Sequence, residues 1–237
     1  MLRSVLLFCL LSTTLSVYAQ ETIELSNNYS PDIIQKYHAF KDNRDIKHGA
    51  YQAFYKKKTV VASGLYTQGK RTGVWHFYDI KGNITQHYNY DKNQLLYVTD
   101  EDPTGNFTKY EFIPKPAATD SVTFPIKIGG LLYGYQPYLK MFRVDEVNLY
   151  NPASVYAVLE ILVTPFGQLA ECKLMVKTKV MVNFQIQETN VATYLLNNDL
   201  LSPEDKQFLP ASVNRQPVSS TIYIYCNVQS NGRISIF

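Results

Sequence analysis

The alternation of apolar and polar positions is clearest in the last third of the chain. Val155, Ala157, Leu159, Ile161 and Val163 share one face of an extended segment, and residues 165–168 read as a turn. Ala170, Cys172, Leu174 and Val176 return on one face, with Glu171 and Lys173 on the other. A period of two with one apolar face predicts an antiparallel hairpin covering a core. Residues 221–228 alternate in the same way and predict a final strand. Between these pieces, Phe184, Ile186, Val191, Tyr194, Leu195 and Leu196 fit a helix over 184–196. Ser202-Pro203-Glu204-Asp205 predicts a second helix start, with a capping Ser, Pro in the first turn and acid near the positive end. Phe208-Leu209-Pro210-Ala211 closes it.

Nearer the N-terminus, Ser30-Pro31-Asp32 followed by Ile33, Ile34, Tyr37 and Phe40 predicts a short helix within a mixed polar segment, 20–45. From His48 the pattern repeats. Gly49-x-Tyr51-x-x-Phe54-Tyr55 is followed by Gly64-x-Tyr66-x-x-Gly69-Lys70-Arg71-x-Gly73-x-Trp75-x-Phe77-Tyr78, and Tyr88 and Tyr90 come after Gly82. Phe54 and Phe77 are 23 residues apart, as are Tyr55 and Tyr78, and Tyr66 precedes Tyr90 by 24. Such a period marks a repeat, and two aromatic runs per period separated by Gly, Lys, Asn and Asp predict two strands with tight turns. A single hairpin cannot bury its aromatic face, so the hairpins must share a meander, with Trp75 and Phe77 on its buried face. The Pro-rich, aperiodic residues 114–120 read as a linker, and 122–133 as short extended pieces.

Two family resemblances follow from these residues. The stretch Gly69-Lys70-Arg71-Thr72-Gly73-Val74-Trp75-His76-Phe77-Tyr78-Asp79 resembles MORN repeats, in the degenerate form of exported bacterial proteins and YwqK-type antitoxins. That resemblance implies a β-meander scaffold for contacts with proteins or lipids, and no chemistry. The order of 155–163, Gly167, 169–176, Phe208-x-Pro210-Ala211, Pro217-Val218 and 222–228 resembles the TonB C-terminal domain family, in which a receptor peptide can join the last strand. The expected fold class is α+β: a MORN-like antiparallel meander at 46–113, then a TonB-like domain at 121–237 built on a three-stranded sheet with helices.

Residues 1–19 carry the three parts of a secretory leader: Arg3, the apolar core 5–11, and Val17-Tyr18-Ala19 before Gln20. The apolar core is shorter than the roughly 20 residues a spanning helix needs, so cleavage after Ala19 and a soluble exported chain are expected. Composition supports strands, with 19 Tyr and 12 Phe. Loss of Arg3 with the leader lowers the formal charge from +3 to +2, without the concentrated basic surface that nucleic acid requires.

Candidate chemistry is sparse. His38, His48, His76 and His87 show no metal-ligand spacing, and there is no nucleophile elbow, Walker loop or dinucleotide fingerprint. No cofactor, metal or catalytic residue is expected. Cys172 and Cys226 fall on apolar strand faces and are expected to be free thiols, because the first strand of the hairpin should separate them. The expectation is therefore a non-catalytic binding protein of a Gram-negative envelope, periplasmic or outer-membrane associated, with an envelope protein as partner. Strand addition would use the outward row Thr221, Tyr223, Tyr225 and Asn227 if that edge is open. The alternative is anionic-lipid or outer-membrane contact through basic repeat tips at Lys56, Lys57, Lys58, Lys70 and Arg71. A hydrolase without a visible motif is the remaining reading, and a deep polar cleft holding perturbed titratable groups would favour it.

Overall fold

A computed structural model describes residues 20–102, 104–145, 154–182 and 184–236. The expected leader lies outside the described residues. Seven strands form one antiparallel meander in sequence order: β1 (Thr22–Ser30), β2 (Ile33–Phe40), β3 (Lys47–Tyr55), β4 (Thr59–Thr67), β5 (Lys70–Tyr78), β6 (Ile84–Asn89) and β7 (Gln94–Val98). Tyr37 opposes Tyr51, Tyr51 opposes Gly64, and Trp75 opposes Tyr88, so aromatic positions line up across one face. Trp75 and Phe77 are fully buried there. Gly64 makes room for them, because a Cβ at this position would overlap the Trp75 indole.

Residues 33–40, expected to be helical, are strand β2. Ile33, Gln35, Tyr37 and Ala39 alternate inward, and β1 and β3 supply the backbone partners on both sides. Apolar residues at near-helical spacing also satisfy a strand when neighbours wait on either edge, and the β-branched Ile33-Ile34 pair favours the extended form. Residues 20–45 thus contribute the first two strands of the meander, not a separate segment.

The second sheet is built from β8 (Thr108–Ile113), β9 (Val122–Thr123), β11 (Val155–Val163), β12 (Leu169–Val182), β13 (Gln185–Leu195), β15 (Ala211–Val213), β16 (Gln216–Val228) and β17 (Ile234–Ser235). Its order is β13-β12-β11-β16-β15-β9, with β8 and β17 also paired to β16. A two-residue ladder joins β10 (Ile126–Lys127) to β14 (Phe208–Leu209). The chain is mostly antiparallel sheet. α-Helix is confined, among the described residues, to α1 (Gly130–Tyr133) and α2 (Gln136–Leu139), and a 3-10 turn spans Asn198–Leu200.

The two helices expected in the C-terminal half are therefore corrected. Residues 184–196 are largely β13, paired along its length with β12. The hydroxyl of Ser202 does accept from the Asp205 amide, at 3.1 Å, but the cap closes only a turn before the chain extends into β14. The sheet is also larger than the three strands expected: β13, β15, β9 and β17 join it, and β8, placed by sequence at the end of the repeat region, pairs with β16.

The segment 128–142 wedges between the sheets. Ile128, Leu132 and Tyr133 join the aromatic core of the meander, and Leu131, Tyr135, Tyr138 and Leu139 join the aliphatic core of the second sheet. The Tyr133 and Tyr51 hydroxyls meet at 2.7 Å. Cys172 on β12 and Cys226 on β16 are buried and free, on strands separated by β11 as expected. Burial pushes both thiols well up, so they behave as apolar core groups. No helix among the described residues is long and apolar enough to cross a membrane.

Candidate functional site: a cleft beside the open edge of the meander

The last strand is closed on both sides. One edge of β16 pairs with β11; the other pairs with β15 at 216–218, with β8 at 219–224 and with β17 at 227–228. Thr221 is buried between Leu162 and Glu111, and the Tyr223 hydroxyl donates to the Glu111 carboxylate at 2.8 Å. Tyr225 stacks on Tyr156, its amide donates to the Phe107 carbonyl at 2.8 Å, and Asn227 lies opposite both Tyr156 and Ser235. The predicted row shares a face, but no open edge accompanies it. The tail covers part of that edge, and β8 covers most of the rest.

The basic tips do not form one rim. Lys56, Lys57 and Lys58 make the β3–β4 turn, whereas Lys70 and Arg71 follow the β4–β5 turn. The nine residues of β4 separate these turns by about 30 Å. Lys57, Lys58 and Lys70 are exposed. The Arg71 side chain is only 9% exposed, with its guanidinium 5.0 Å from the Trp75 ring centre and 5.5 Å from that of Tyr90. Its Nη1 donates to the Tyr90 hydroxyl at 2.9 Å, and its Nε lies 3.3 Å from the Glu204 carboxylate. Lys47, next to this cluster, sits over the rings of Tyr37, Tyr51 and Tyr66 at 4.8–5.1 Å. Burial, together with the charges of Arg71 and Lys140, pushes its ammonium down to about 8.

A cleft of about 590 Å³ opens where β7 leads into β8 and faces the segment 123–135. Gln86 on β6 staples that segment to the meander: its amide nitrogen donates to the Lys127 carbonyl at 3.2 Å, and its oxygen accepts from the Gly129 amide at 2.7 Å. Asp102 shapes the β7–β8 loop by accepting from the Asn106, Phe107 and Thr108 amides at 2.7–3.0 Å. Glu101 accepts from the Leu131 amide at 2.7 Å. Gly130 must be glycine there, since its φ is +70° and a Cβ would sit 2.8 Å from the Glu101 carboxylate. Tyr110 and Phe124 form an aromatic lip with ring centres 4.8 Å apart.

Two wall residues are perturbed. Burial pushes the Glu101 carboxyl up to about 7, against the pull of the Leu131 amide and the Thr85 hydroxyl. Burial pushes Lys127 down to about 7; its ammonium nitrogen donates to the Asp205 carbonyl, and to that of Gln207 at 3.0 Å, and lies over Phe208. No motif marks Gln86, Glu101 or Lys127 in the sequence, because their partners come from segments 30 to 80 residues away.

These shifts predict a pH signature. Folded Glu101 holds its proton between its ordinary value of 4.5 and about 7. Its contribution is present in full below 4.5 and is lost as pH rises through 7. Folded Lys127 is short of a proton between about 7 and 10.5, so its penalty is present below 7 and fades as pH rises towards 10.5. Denaturation midpoints against pH should show Glu101→Gln flattening the profile below 7 and Lys127→Met flattening it above 7. Unchanged slopes would refute the assignment.

Among the described residues, no three or more His, Cys, Asp or Glu side chains gather as a metal site. The cleft polar groups are largely occupied by protein partners: both ends of Gln86, the Asp102 carboxylate and the Lys127 ammonium. The described residues that line the cleft include no His, Cys or Ser. No family model, curated protein or solved structure matches this chain.

Proposed function

We propose that the chain is an exported, non-catalytic envelope protein, periplasmic or outer-membrane associated, that binds a protein partner by strand addition on β7. The observation that carries this reading is the outer edge of β7, which pairs with β6 and with no other described strand. Leu96, Tyr97 and Val98 are 49%, 46% and 42% exposed on it, without the lysines or prolines that commonly guard an edge. An added strand supplies the missing backbone partners along β7, and its side chains reach the adjoining cleft past Val98 and the Tyr110–Phe124 lip. The leader pattern supports export. The period of 23–24 residues supports a MORN-like meander, and the β11–β12 hairpin followed by Pro210-Ala211, Pro217-Val218 and β16 supports a TonB-like second half. The occupied cleft groups favour binding over hydrolysis, although the cleft does hold the two perturbed groups that a hydrolase reading asks for.

Photo-crosslinking in intact cells tests this. A benzophenone amino acid at Tyr97 should yield a discrete crosslinked protein, and the same probe at Tyr225 or Lys57 should not. Leu96→Lys with Val98→Lys should abolish the product without moving the melting midpoint. A product at Tyr225 and none at Tyr97 would overturn the assignment.

A further inference from the structure

The β12–β13 hairpin reaches past the body of its sheet. β11 pairs with β12 as far as Thr178, and beyond that point β12 pairs only with β13 among the described residues. At the far end Met181, Phe184 and Ile186 are 72%, 98% and 69% exposed, and Val180 is exposed beside them. Isolated exposed apolar residues are ordinary, but four within seven positions at one tip are not. Phe184 adds a second observation. Its φ is +62°, in the left-handed region that glycine or asparagine adopts readily and a bulky aromatic side chain does not. A turn that keeps phenylalanine in that conformation, with its ring in water, retains a destabilising residue for something other than the fold.

We propose that this tip inserts into the interfacial layer of a membrane with anionic lipid. The dimensions fit. At about 3.3 Å per residue, positions 180 and 186 stand roughly 7–10 Å behind the turn. That matches the 5–10 Å to which interfacial apolar elements bury themselves. Lys179 and Lys177 follow along β12 at the height that headgroups would then occupy. Lys179 lies 3.9 Å from Glu188, the one carboxylate on this part of the hairpin, and both side chains are about half exposed, so the ammonium can turn to a phosphate instead. The apolar residues occur on both strands of a ribbon exposed on both faces. End-on entry into a fluid layer uses all of them, whereas a flat protein surface would meet one face. The inference is independent of β7: the hairpin ends in β13, an edge strand of the other sheet.

Flotation with vesicles of phosphatidylethanolamine and phosphatidylglycerol in a 3:1 ratio tests it on the full mature chain. The wild type should float with the vesicles, and Met181→Ser/Phe184→Ser/Ile186→Ser should bind at least roughly tenfold less. The substituted side chains are exposed, so the circular dichroism and melting midpoint of that variant should match the wild type. Lys177→Glu/Lys179→Glu should weaken binding by roughly tenfold or more on anionic vesicles, and the loss should shrink in high salt. A wild type that stays in the soluble fraction, or a tip variant that floats as well as the wild type, would overturn the proposal. So would a vesicle-independent dimer that the tip variant loses, because the tip would then seat on a second copy.

Discussion

Replacing Trp75 by alanine is expected to cost the fold roughly 3–5 kcal/mol. The indole is fully buried and forms the centre of the meander core, with ring centres of Tyr51, Tyr66 and Tyr90 at 5.1, 5.2 and 5.7 Å. Its Nε1 donates to the Leu65 carbonyl at 3.1 Å, and its ring lies over Gly64. Deletion leaves a cavity bounded by strands whose hydrogen-bond ladders prevent collapse, so the cost should fall at the upper end for a large-to-small change. Trp75→Phe should lose less, since the cavity is smaller and the lost hydrogen bond is worth about 1 kcal/mol. Urea denaturation at 25 °C measures both. An unchanged midpoint for Trp75→Ala would mean that the ring is not core, and the whole aromatic row would have to be reassigned.

Arg71→Met should cost about 3 kcal/mol, the lower end of what breaking a buried ion pair removes. Arg71 stands on β5 of one sheet, while Glu204 and Asp205 stand in the turn before β14 of the other half, at 3.3 and 3.8 Å. The substitution therefore removes a tie between the halves, along with the donors to the Tyr66 and Tyr90 hydroxyls. The lower end applies because the Glu204 and Asp205 side chains retain 32% and 19% exposure and can be partly rehydrated. Lysine should rescue poorly, since one ammonium cannot lie flat on Trp75 while reaching both tyrosines. The decisive measurement is a double-mutant cycle with Glu204→Gln, in which Arg71→Met should cost clearly less than in the wild type. Strict additivity would show that the pair contributes nothing.

Arg71 also shows where a sequence-only reading went astray. Beside Lys70 and after Gln68-Gly69 it resembles a solvated hairpin tip. Yet Arg71, Gly73, Trp75 and Phe77 share one parity, and that parity places Arg71 on the aromatic face. The signal was present, but a charged residue on a core face makes sense only once Glu204 and Asp205, more than 130 residues further on, are known to face it.

What the sequence determined by itself was local and periodic. It set the strand faces of β5, β11, β12 and β16, including the inward position of both cysteines, the burial of Trp75 and Phe77, and the hairpin repeat, because a side chain's face follows from its own backbone and near neighbours. Tertiary structure decided what periodicity cannot encode, which is the partner each edge receives. Residues 33–40 and 185–195 became strands because open ladders stood beside them, and their apolar spacing suited either form. β16 lost its free edge to β8, from a segment 106 to 116 residues earlier that carries no mark of its destination. The cleft arose in the same way: Gln86, Glu101 and Lys127 are scattered polar residues until the 128–142 wedge packs both cores and brings them to one wall. Backbone hydrogen bonds and buried charges must be satisfied by some group, but which group does so depends on contacts distant in sequence, and only the folded chain brings those together.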